Sequence, residues 1–101
     1  MSKIAFSNTY KLKDNASAPD FLIAIEKLVK EHVSKQNGYV SFQLLANDDI
    51  WTDSVIFETM ADLNAFLESS HNNKNELADK FYSFLNFATC KSTTYTVVQS
   101  Y

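Results

Sequence analysis

An amide stands where the sequence calls for an apolar side chain. In the segment IAFSNTYKLK, Ile4, Phe6, Tyr10 and Leu12 share one parity, and Ser7, Thr9, Lys11 and Lys13 share the other. That is the alternation of a half-buried strand. Asn8 falls on the apolar parity. A buried amide left without partners costs about 1–3 kcal/mol, so Asn8 either bonds to neighbouring backbone or donates to a ligand oxygen. His71, in the polar run from Ser69 to Asn75, has the imidazole whose reference pKa of about 6.5 suits proton removal from a phenolic group near neutrality. Its other role is that of a surface histidine at a helix C-terminus.

Aromatic rings are abundant, at 14% of residues. At helical or strand spacing such rings usually pack a core, but the same residues can wall a ring-binding pocket. Phe57, Phe66 and Phe81 are the candidates for that wall, and Tyr10 and Tyr82 can add hydroxyl donors. His32 lies at the edge of an apolar helical stripe, where a structural role is expected. Neither histidine has a third ligand at metal spacing, so no metal site is expected. Cys90 is the sole cysteine, which excludes an intramolecular disulfide and suits a small, partly buried residue. Asp48 and Asp49 read as turn formers.

The elements that must position these residues follow from local signals. Ile4 to Lys13 is a strand. Ser17 and Asp20 have the spacing of a capping box, and Phe21, Leu22, Ile25, Leu28, Val29 and Val33 then recur at helical spacing. Asn37-Gly38 reads as the stop of that helix. Tyr39 to Leu45 is a second strand with Val40, Phe42 and Leu44 on one side, and Ile50 to Glu58 is a third, joined by the turn Ala46-Asn-Asp-Asp49. Thr59 and Asp62 open another helix with Leu63, Phe66 and Leu67 as its stripe. The Asn-rich run interrupts it, and a further helical pattern includes Leu77, Phe81, Phe84 and Leu85. The segment from about Cys90 to Tyr101 is a last strand.

Strand, helix, strand, strand, helix in two pieces, strand is the split βαβ order, an α+β ferredoxin-like antiparallel sheet with helices on one face. The 101 residues suit a single domain, 1–101. An open sheet face bearing Tyr39, Leu45 or Ile56 invites a second copy, so a homodimer is expected. A net charge of −3 argues against a nucleic-acid surface. All nine basic residues are lysines, so no guanidinium fork is available for a phosphate or carboxylate. No segment approaches the roughly 20 apolar residues of a membrane span, and a soluble cytoplasmic protein is expected.

In element order the whole chain resembles the antibiotic biosynthesis monooxygenase family of dimeric α+β barrels. The local motif is Phe57-Glu58-Thr59, then Leu63-Asn64-Ala65-Phe66-Leu67, then Ser69-Ser70-His71. Phe57 stands where the family often has Trp, and Ser70 where it has Pro. The resemblance implies that a small aromatic or quinone-like molecule binds between sheet and helices. In some members it implies oxygen insertion without metal, flavin or haem, the deprotonated substrate itself reducing dioxygen. Asn8 would then position a substrate oxygen and His71 would assist proton removal. The haem-degrading branch is similar in using a first-strand Asn, a helix Trp and a later His. Asn8 matches, but Phe66 and Glu76 occupy the other places, so no cofactor is expected. A non-catalytic small-molecule-binding or stress-response dimer of the same fold is the alternative.

Overall fold

In the computed structural model, the backbone of residues 2–72 and 74–101 and the side chains of residues 2–70 and 74–101 are described. The alternating N-terminal segment is strand β1, Ile4–Leu12. Helix α1, Ala18–Glu31, begins where Ser17 Oγ accepts the Asp20 N–H at 3.3 Å. Pro19 sits in the first turn, where a missing N–H costs nothing. Phe21, Ala24, Ile25 and Leu28 are its buried stripe. Leu22, expected on that stripe, is 44% exposed because it projects off the row.

Helix α1 also ends earlier than the Asn37-Gly38 signal suggests. A 3₁₀ turn, Val33–Lys35, follows His32 and buries Val33. Gly38 has φ +80 and leads into strand β2, Tyr39–Asn47, and a Cβ there would run into the Asp62 carboxylate. The glycine therefore serves the entry to a strand and the close approach of a later helix.

Strand β3, Ile50–Phe57, returns antiparallel to β2, with Asn47 opposite Ile50. Asp48 takes the left-handed conformation, φ 55, that aspartate tolerates in turns. A register shift between Tyr39 and Ser41 reverses the parity of the first residues of β2. Tyr39 thereby joins Phe42 and Leu44 against the core, while Val40, expected inward, is exposed.

Helix α2, Met60–Asn72, starts at Thr59, whose Oγ1 accepts the Asp62 N–H at 3.1 Å and donates to Asp62 Oδ2 at 2.9 Å. It runs into the polar stretch expected to break it and ends there at Asn72, so the backbone of His71 belongs to the end of α2 rather than to a loop. The true punctuation is Asn75, whose Oδ1 accepts the N–H groups of Leu77 and Ala78 at 2.9 and 3.2 Å and opens α3, Glu76–Tyr82. Strand β4, Leu85–Thr96, begins before Cys90 because Leu85 already pairs with Leu12 of β1.

The strands form one antiparallel sheet in the order β2-β3-β1-β4, the ferredoxin-like arrangement. Its covered face carries Ile4, Tyr10, Val55 and Phe57, which pack with Phe21, Leu63 and Phe81 of the helices into the core. Among the described residues, no helix is long and apolar enough to cross a membrane.

Candidate functional site

Antiparallel pairing places Ser92, Asn8, Asp53 and Leu44 in a single row that crosses all four strands. Side chains of directly paired residues point to the same face of a sheet, and this row points beneath the helices. Three of its four members are polar. Asp53 is 4% exposed, a buried carboxyl in an otherwise apolar layer.

The polar atoms of the row bond to one another. Asn8 Nδ2 donates to Asp53 Oδ1 at 3.0 Å, and Ser92 Oγ donates to Asn8 Oδ1 at 2.5 Å. Tyr10, two positions along β1 on the same face, donates its hydroxyl to Asp53 Oδ2 at 2.7 Å. An ionised carboxylate can only accept, so Asp53 fixes the orientation of the Asn8 amide. The amide oxygen is thereby turned to Ser92. Among the described residues, no buried side-chain nitrogen or oxygen lacks a partner.

A cavity of about 310 Å³ lies over this row, at the lower end of the size of small-molecule sites. Asn8, Tyr10 and Asp53 form part of its sheet-side floor, together with Phe6, Phe42 and Val55. Ile25 and Leu28 of α1 and Phe66, Leu67 and Ser70 of α2 form other walls. Phe81 and Tyr82 of α3 approach from the far side. The β4 edge supplies Phe87, Cys90 and Ser92, and here the cavity reaches solvent, since Tyr82 is 44% and Phe87 60% exposed. Their rings lie 6.0 Å apart at this mouth.

Strand β4 makes that mouth by departing from regular pairing. Its register shifts where Thr9 pairs with Lys91 but Lys11 pairs with Asn86, leaving surplus residues opposite Tyr10. Local bonds hold the excursion: Thr89 Oγ1 donates to the Asn86 carbonyl at 2.6 Å and accepts the Lys11 N–H at 2.9 Å. Phe87 and Cys90 reach the cavity from this irregular stretch.

Burial dominates the electrostatics. It raises the pKa of Asp53 above the usual carboxyl value, although hydrogen bonds from Asn8 and Tyr10 pull the other way. Burial, reinforced by the Asp53 charge and its hydrogen bond, keeps the Tyr10 phenol protonated. Burial followed by Asp53 also raises Tyr82 and Cys90, which leaves Cys90 a thiol rather than a reactive thiolate.

The structure gathers Asn8, Tyr10, Phe66, Phe81 and Tyr82 around one cavity. Phe57 is fully buried, does not line this cavity and backs Phe66, with ring centroids 5.3 Å apart. The His71 side chain lies outside the described residues. His32 packs near Phe66 at 6.1 Å. Asp53 was not anticipated, yet its signal is in the sequence: Trp51, Val55 and Phe57 share its parity, as Ile4, Phe6 and Tyr10 share that of Asn8.

Fold and site together define a ferredoxin-like α+β domain with a row of bonded polar side chains under an aromatic-walled cavity. The fold is that of the antibiotic biosynthesis monooxygenases. SnoaB, a cofactor-independent oxygenase from Streptomyces nogalater, superposes with a TM-score of 0.77 at 14% identity, over 99% of this chain and 97% of that one. A Nitrosomonas europaea structure assigned to the antibiotic biosynthesis monooxygenases gives 0.74 at 14% identity, over 96% and 91%. A heme-degrading protein from Mycobacterium tuberculosis gives 0.68 at 13% identity, over 99% and 96%. By sequence, no family model and no curated protein matches the chain.

The fold thus spans different chemistries, and the site residues must choose among them. At the positions compared with the haem-degrading branch, Phe66 packs against Phe57, and Glu76 sits at the start of α3. Among the described residues, no group of histidine, cysteine and carboxylate side chains is placed to hold a metal ion. Neither Phe66 nor Glu76 brings an imidazole to those positions.

Proposed function

We propose that this chain is a cofactor-independent monooxygenase of the antibiotic biosynthesis monooxygenase family, working as a homodimer on a small aromatic or quinol compound. The observation that carries this reading is the Asn8 amide, held in a bonded polar row on the floor of an apolar, aromatic-walled cavity. An amide nitrogen carries two N–H groups. Asp53 takes one, and the other is available to orient a substrate oxygen. Phe66 and Phe81, which line the cavity, would hold a flat ring, and Tyr82 would contact its outer edge.

The reaction class is oxygenation of a ring carbon activated by a neighbouring phenol or ketone, one atom of dioxygen entering the product and the other leaving as water. The substrate supplies all four electrons once a proton has been removed. The protein excludes water, orients the ring and stabilises the enolate or phenolate. Oxygen uptake with a panel of quinols and polyphenols tests the reading. Asn8→Ala is expected to lower kcat/KM by about 10- to 100-fold and to weaken ligand binding more than it lowers the melting temperature. Saturable binding with no protein-dependent oxygen uptake would instead favour a binding module.

A further inference from the structure

We propose that Asp53 is the proton acceptor of this site. It would take the proton whose removal starts the reaction and return it to the peroxide formed afterwards. The inference rests on reading the cavity as an oxygenation site, and it assigns a catalytic role to a residue in the middle of a sheet strand.

Three observations carry it. Asp53 lines the cavity floor, beneath the space a ligand over the row would fill. Each of its oxygens accepts one hydrogen bond from the protein, Oδ1 from Asn8 and Oδ2 from Tyr10. A carboxylate offers about four acceptor positions, so lone pairs remain for a substrate proton. Its two partners fix the carboxyl plane, as a base must be fixed to be effective.

The third observation is the absence of a counter-charge. The titratable groups that line the cavity beside Asp53 are Tyr10 from β1, Tyr82 from α3 and Cys90 from β4, all neutral when protonated. Helix α1 and the 3₁₀ turn present Ile25, Leu28 and Val33, and the described part of α2 presents Phe66, Leu67 and Ser70. No lysine lines the cavity among the described residues. A structural buried carboxylate is usually paired with a cation. Asp53 has only neutral donors, and burial makes it more basic than a surface aspartate. That suits a general base better than a scaffold charge.

Atoms and electrons balance in this step. A C–H bond of an enolisable ring ketone breaks, its electron pair stays on the substrate as enolate, and the proton forms an O–H bond on Asp53. Dioxygen adds at that carbon to give a peroxide anion, and Asp53 returns the proton to it. Loss of water from the hydroperoxide gives the ketone. Dioxygen is the sole oxidant.

Anthrone, a fused-ring ketone with an acidic methylene, separates this inference from the proposed activity. Under anaerobic conditions in D₂O, the wild-type protein is expected to accelerate deuterium incorporation at that methylene. Asp53→Asn should reduce the acceleration about 100-fold or more. The fold of this variant should survive, because the row can reverse: the introduced amide donates to the Asn8 oxygen, and the Asn8 amide is free to turn toward the Ser92 hydroxyl. Tyr10→Phe keeps the ring and removes a donor to the carboxylate, so the acidic limb of the exchange profile should move to higher pH. Absence of wild-type exchange, exchange unchanged in Asp53→Asn, or an acidic limb lost only in His71→Ala would each overturn the assignment. Exchange that depends on Asp53 without oxygen uptake in air would leave Asp53 as the base and discard the oxygenase reading.

Discussion

The two faces of the sheet carry similar polar pairs one residue apart and use them differently. On the covered face, Asn8 bonds to Asp53 at 3.0 Å. On the open face, Ser7 bonds to Ser54 at 3.0 Å, and Thr9 faces Thr52 at 3.3 Å. The open-face hydroxyls lose little if a bond breaks, because water can replace it. The covered pair has no such reserve and is completed by Tyr10 and Ser92. A polar pair that a fold buries at a cost is a better pointer to function than the same pair left in water.

The strongest test of this contrast removes the support behind the cavity. Phe57→Ala should destabilise the fold by about 3–5 kcal/mol, measured by denaturant unfolding, because the ring is fully buried against Phe66. A much smaller loss would mean that the wall behind the site is loosely packed.

Next in size is the pH dependence of Asp53. Its folded pKa is raised by burial, so the folded state binds this proton more tightly than the unfolded chain. The resulting contribution to stability is fully present below the unfolded value of about 3.9 and is lost as pH rises through the folded value. Stability of the wild type should therefore fall with rising pH across that window, and Asp53→Asn should flatten the fall and unfold at higher temperature near neutrality. A variant less stable than wild type at neutral pH would make Asp53 a structural anchor.

The smallest effect belongs to the open face. Thr9→Ala should change stability by no more than about 0.5 kcal/mol if that face meets water. Leu45 and Tyr95 are 54% and 55% exposed on the same face, where a second copy would pack. Light scattering that gives a dimer mass at micromolar concentration, with a Thr9→Ala cost that shrinks on dilution, would show that both faces are covered and sharpen the comparison. A monomer mass would leave the contrast as drawn and remove the homodimer from the proposed function.

Much of the fold was legible because its signals are local and repeated. Strand β1 alternates cleanly, Ser17 caps α1, and Thr59 with Asp62 caps α2. The misread boundaries are places where one residue type serves two purposes. Gly38 looks like a helix stop but is required by its positive φ and by Asp62. The polar run after Ser69 does break the helix, but only at Asn72, because a solvent-facing turn can stay helical when Leu63, Phe66 and Leu67 anchor the preceding turns. The shift in β2 that exposes Val40 leaves no composition cue. At the site, Asn8 was legible from parity alone. Asp53 carries the same signal but sits close to a turn rich in aspartate, where an acidic residue attracts no notice. Phe57 could not be told from Phe66, since only packing shows which of two neighbouring rings faces a cavity.

The irregular stretch of β4 has a meaning for how such a protein can change. The rows on both sides of it are in register, Thr9 with Lys91 and Lys11 with Asn86. The pairing that positions Asn8 and Asp53 is therefore set outside this stretch. The mouth of the cavity and its bonded floor thus lie on different sides of those anchors. The cavity lining can change through Phe87 and its neighbours while the bonded row beneath keeps its pairing.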